Sequence, residues 1–190
     1  MSHPESEAAD SAAPDGVARG QGTQIGSSGA ADPVTHRSID NVTERLRVLG
    51  ATGRVVVFPD SARTAQQAAD QLGCEVGAIA NSLIFDAGGK PVLILTSGAH
   101  RVDTTKVATD IGVRTLRRAA PEFVRDHTGQ AIGGVAPIGH PSPIPTYLDR
   151  ALRAHAQIWA AAGHPHAVFS TTYDELRSLT DATEIDVETT

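Results

Sequence analysis

Two apolar runs flank a short glycine-bearing turn: residues 81–86 (NSLIFD) and 92–96 (VLILT) enclose residues 87–90 (AGGK). Runs this close must pair in opposite directions, because a parallel return needs a crossover of a dozen residues or more. The pattern recurs where residues 157–161 and 167–170 flank Gly163, His164 and Pro165. Two hairpins exclude an all-parallel doubly wound sheet. The helical segments carry their own punctuation. Ile39, Val42, Leu46 and Leu49 recur at helical spacing before Gly50. Thr64 with Gln67, and Thr172 with Glu175, have capping-box spacing. Asp103 heads a segment that stops at Gly112, and Pro121 opens one that stops at Gly129. Shorter strands are expected at residues 54–58, 113–117, 131–135 and 147–149. The sum is a mixed α/β (α+β) domain: a barrel-like mixed sheet of roughly seven strands ringed by roughly five helices.

Charge divides the 190 residues into three parts. Residues 1–34 hold five acids and one Arg, and half of them are Ala, Gly or Ser. Such a segment buries too little apolar surface to offset its ordering entropy, so it is expected to be disordered. The Gly20, Gly22, Gly26 pattern inside it has neither the preceding strand nor the following helix that a phosphate loop needs. Residues 181–190 hold four acids and read as an acidic C-terminal tail. Between them, residues 35–180 carry 15 Lys+Arg against 13 Asp+Glu, a mildly basic body able to meet a nucleic acid at a local patch. The lone Cys74 excludes an internal disulfide framework. No apolar run is long enough for a membrane span, and the N-terminus has no secretory h-region, so a cytoplasmic location is expected. Oligomeric state is left open.

The chemistry-bearing motifs are few. No G-x-S-x-G elbow is present, and Cys74 has no nucleophile context. His164-Pro-His166 and His140-Pro141 lack the partners of a zinc site, so no metal and no cofactor are expected. The most constrained segment is residues 131–140 (AIGGVAPIGH), where Gly133 and Gly134 allow close backbone approach and Pro137 and Gly139 set a rigid turn. Asn81 and Ser82 open an otherwise apolar strand, and residues 97–103 (SGAHRVD) join a strand to a capped helix. Each alone is compatible with ordinary connection chemistry.

Together, in this order, these segments resemble the YbaK/ProX-type aminoacyl-tRNA deacylase family, whose editing domain also occurs inserted in bacterial prolyl-tRNA synthetases. The resemblance covers residues 38–180 and rests on GGVAPIGH, SGAHRVD and GHPHAVF in combination. It implies hydrolysis of the ester joining a wrong amino acid to tRNA, with the aminoacyl-tRNA 3′ acceptor end as partner. It implies that Gly133 and Gly134 take part in catalysis, that Pro137, Ile138, Gly139 and His140 contact the substrate in the same turn, and that Asp149 occupies an acidic pocket position. Phe58 maps to a pocket wall and Ser82 to a second polar contact.

One departure matters. The family's Lys-Ser/Thr-Leu is Asn81-Ser82-Leu83 here, and the only lysines are Lys90 and Lys106. A charge-assisted hydrogen bond contributes about 1.5–3 kcal/mol and a neutral one about 0.5–1.5 kcal/mol. Asn81 can still donate to a carbonyl oxygen, so hydrolysis is weakened rather than excluded. Two further readings follow: a module that binds aminoacyl-tRNA without cleaving it, and a small-ligand protein that reuses the fold. His140 is a general-base candidate, and Arg101, Arg117, Arg118 and Arg150 are candidate phosphate contacts.

Overall fold

A computed structural model of the chain describes residues 36–188. The segment 1–34, with its expected disorder and its glycine pattern, lies outside the described residues. Both expected hairpins form. Strand β2 (Ile79–Asp86) pairs antiparallel with β3 (Pro91–Ser97), and β6 (Ile158–His164) with β7 (Ala167–Thr171). Strand β1 (Val55–Val57) joins β7 antiparallel, and β4 (Arg117–Arg118) joins β2. The parallel ladders are β2 with β6, β3 with β5 (Thr146–Asp149), and β5 with β8 (Thr183–Ile185). The sheet among the described residues is therefore mixed, with the order β1-β7-β6-β2-β3-β5-β8 and β4 attached to β2.

Five helices, α1 (Arg37–Val48), α2 (Ala65–Leu72), α3 (Thr104–Asp110), α4 (Pro121–Thr128) and α5 (Tyr173–Thr180), begin where the sequence marks them. Thr64 accepts from the Gln67 amide, Thr172 from Glu175 and Asp103 from Thr105 and Lys106, each satisfying an orphan first-turn donor. Strand alternation sorts the core onto two faces. On one face Ala80, Ile84, Leu93 and Leu95 pack with α1, α4 and α5 and with Val135, Ala136 and Ile138. On the other, Phe85, Val92 and Ile94 pack with α3, while Ile79 packs with α2 and Phe58.

Three expectations are corrected. The strand expected at 113–117 shrinks to the two-residue β4 at its end. Residues 131–135 form no strand. The Gln130 carboxamide accepts from the Ala136 amide (2.6 Å) and the Gly134 amide donates to Ala131, so this backbone is satisfied by a turn closing on itself. The acidic C-terminal stretch is no appendage up to residue 188: β8 extends the sheet, and Ile185 and Val187 are buried against α3. Its carboxylates find cations there, Asp186 pairing with Arg150 and Glu184 with Arg153. Replacing Ile185 by Ala should therefore lower the unfolding free energy by about 2–5 kcal/mol in a urea titration, as large-to-small core changes do. A loss below about 0.5 kcal/mol, ordinary for a surface site, would mean that β8 is not part of the core.

Candidate functional site

The expected site residues fall into two groups. Asn81, half-buried, lies across the ladder from Thr96, so the two side chains share the face of the sheet that carries α2 and α3. The Thr96 hydroxyl donates to the Asp149 carboxylate (3.2 Å). Asp149, 1% exposed, also accepts from the Ser97 amide (3.0 Å), from the Ala151 amide (3.0 Å) and from His100 Nδ1 (2.9 Å). A carboxylate ringed by donors stays an acceptor, which places the hydrogen on His100 Nδ1 and turns Nε2 outward, 3.9 Å from Glu188. Asn81 and Asp149 are thus joined through Thr96, and His100 is held by the same carboxylate. Among the described residues the Asn81 carboxamide has no hydrogen-bond partner.

Ser82, one residue on, points to the opposite face, and its buried hydroxyl has no partner among the described residues. That face meets Val135, Ala136 and Ile138 of the glycine-proline turn. The turn and Asn81 therefore approach β2 from different sides. Gly133, at φ +90°, lines an open hollow of about 620 Å³ with Arg63, Arg125 and His164, whereas Gly139 and His140 line a second hollow beside α1. Asn81 lines neither.

The close approach allowed by the glycine pair is used by the protein itself. A Cβ on Gly134 would stand 2.5 Å from the His164 carbonyl carbon and 2.6 Å from the Pro165 nitrogen, so the turn is docked backbone to backbone on the β6–β7 hairpin. Phe58, Pro137 and Ile138, expected to contact the substrate, are buried, and Phe58 and Ile138 belong to the core clusters. His140 is a clasp: its Nε2–H donates to the Ala136 carbonyl (2.8 Å), so that nitrogen is not free to act as a base. Of the proposed phosphate contacts, Arg150 is paired with Asp186, and Arg117 and Arg118 form β4. His36, His164 and His166 stack with centroids 4.4 and 5.3 Å apart rather than converging on an ion. No group of three or more His, Cys, Asp or Glu among the described residues could hold a metal. No described helix is long and apolar enough to cross a membrane. Cys74 is half-buried, and burial pushes its thiol pKa up.

Sequence reasoning missed Thr96, Arg63 and Arg125 and left His100 as a connector. Thr96 and His100 gain meaning from Asp149, 53 and 49 residues away.

A mixed sheet covered by helices on both faces thus carries a polar line over β2, β3 and β5. Residues 59–179 match the family model described as aminoacyl-tRNA editing domain. The chain belongs to that family, as the sequence resemblance implied. The uncharacterized protein YwhH of Bacillus subtilis (strain 168) is 32% identical over 123 residues, which is 64% of this chain and 78% of that protein. A proline–tRNA ligase of Bacillus licheniformis is 34% identical over 107 residues, 56% of this chain, and the match spans 18% of the ligase. The crystal structure of a candidate trans-editing enzyme for prolyl-tRNA synthetase superposes with a TM-score of 0.77 at 42% identity, covering 82% of this chain and 99% of that one.

Two measurements test the geometry. Gly134→Ala should cost about 1–3 kcal/mol of stability, because the hairpin backbone must retreat; an unchanged urea midpoint would contradict the docking. Burial holds the His140 pKa below the ordinary imidazole value, the bond to Ala136 partly offsetting it, and His164 is shifted the same way by burial and then by His36 and His166. The unfolded chain then binds more protons, so stability is lost as pH falls through the unfolded value of about 6.5. His140→Gln should show a shallower loss between pH 7.5 and 5.5 than the parent, and equal slopes would refute the assignment.

Proposed function

We propose that this chain is a trans-editing hydrolase: water attacks the ester carbonyl of a mischarged aminoacyl-tRNA, releasing the amino acid and the terminal ribose hydroxyl. The observation that carries this reading is the match of residues 59–179 to the editing family, with 42% identity to a trans-editing candidate over nearly all of that protein. Asn81 is the substrate-facing donor. Its unpartnered carboxamide can hydrogen-bond the ester carbonyl oxygen and the negative charge that develops on it. Gly133 is assigned to the tRNA end of the substrate and Asp149 to positioning. His140 is committed to Ala136, so the proton of the attacking water goes to Nε2 of His100, the imidazole that Asp149 orients.

The family lysine's replacement by Asn81 favours a second reading, a domain that binds aminoacyl-tRNA and leaves it intact. A panel of mischarged tRNAs decides between them. The editing reading expects turnover above the blank on at least one tRNA, a loss of about tenfold or more in Asn81→Ala, corresponding to about 1.4 kcal/mol, and a gain in Asn81→Lys. Folded protein that retains tRNA binding with no turnover on any member would establish the second reading.

A further inference from the structure

The 620 Å³ hollow has walls of one sign. Arg63 and Arg125 reach it from separate segments, His36 and Ser38 enter from the start of α1, and His164 from the β6–β7 turn. No Asp or Glu lines it, although the chain as a whole is acidic, at −6. Both guanidinium groups are exposed, and among the described residues neither has an acidic partner. His36 Nδ1 accepts from the Ser38 amide, which leaves Nε2–H as an outward donor. Ile132, also lining it, is 53% exposed, one of four exposed large apolar side chains among the described residues.

Paired carboxylates would have quenched a merely structural arginine pair. Here two arginines without acidic partners among the described residues line a space too large for one inorganic anion and bordered by an exposed isoleucine. A phosphodiester chain with attached nucleosides has that combination: pairs of non-bridging oxygens suited to guanidinium forks, and flat faces that cover an aliphatic side chain. We infer that this hollow is the seat of the terminal phosphodiesters of the tRNA acceptor strand, with Arg63 and Arg125 on the phosphates and Ile132 under a nucleoside. The inference rests on the editing reading for the identity of the RNA, but assigns it residues which that reading does not use. It puts Gly133, which lines the hollow, beside the phosphates.

The experiment compares the parent with Arg63→Ala/Arg125→Ala, whose side chains are exposed and outside the Asn81–Asp149 line. On mischarged tRNA the double variant should raise KM at least tenfold and leave kcat within about twofold. For two single-strand phosphate contacts, the slope of log Kd for uncharged tRNA against log salt should flatten by about 1.4. Turnover of an aminoacyl ester of a nucleoside without phosphates should be unchanged. Ile132→Ala should weaken tRNA binding with no change in salt slope. An unaltered KM and salt slope in the double variant overturn the proposal. So does inorganic phosphate at millimolar concentration displacing nothing from tRNA while saturating the hollow, which would mark a free-anion site. If the parent cleaves no tRNA, the editing reading fails, and the uncharged-tRNA binding arm still decides the phosphate site independently.

Discussion

Asp149 is a charge removed from water, and the neighbouring structure is arranged around it. Burying a carboxylate is costly unless donors replace its lost solvation. Four do so: a hydroxyl from β3, an amide from the end of β3, an amide from the turn that follows β5, and an imidazole from the strand-to-helix connection. Each donor belongs to an element that must be in register for the bond to form. The β3–β5 ladder is parallel and therefore has no tight turn to set its register. The buried carboxylate supplies that alignment, and it holds the hydroxyl of Thr96, which the β2–β3 hairpin sets opposite Asn81.

The sheet divides the molecule's tasks between its faces. Alternation along β2 sends Ala80, Ser82 and Ile84 toward α1, α4 and the glycine-proline turn, and sends Asn81 and Leu83 the other way. A one-residue slip would exchange every one of these assignments, and the β2–β3 hairpin with its tight turn guards against it. Ser82 then carries a buried hydroxyl without a partner at the place where the strand passes beneath the turn. A buried unsatisfied group costs roughly 1–3 kcal/mol.

What could be read from the sequence was local. Both hairpins and the caps at Thr64, Asp103 and Thr172 are encoded within a few residues, and the structure has them all. The class of the fold and the family followed from the motifs around residues 97, 133 and 163. The failures were non-local. Residues 131–135 have the apolar content of a strand, yet the Gln130 side chain supplies the hydrogen bond a ladder would have given. Residues 181–188 look like a solvated acidic tail because Arg150 and Arg153, which neutralise them, lie about thirty positions upstream. The glycine pair was legible as a close approach, but the thing approached, the His164–Pro165 backbone, was not. Arg63 and Arg125 gain meaning only from converging on one hollow, and no spacing rule reports that.

A grip on phosphates strengthens the binding of every tRNA, correctly charged or not. It is uniform binding, which raises affinity without choosing between substrates. Choice must then come from the aminoacyl end, where small differences count for little: one methylene in an apolar pocket gives about 10–200-fold. A neutral carboxamide at Asn81 suits that situation. Lysine would place a point charge that attracts any ester carbonyl strongly, whereas an amide donates along a defined direction and contributes less when the carbonyl is misplaced. On the proposed reading, replacing the charge by the amide would lower the ceiling on rate while making rate more sensitive to how the side chain of the substrate seats the ester.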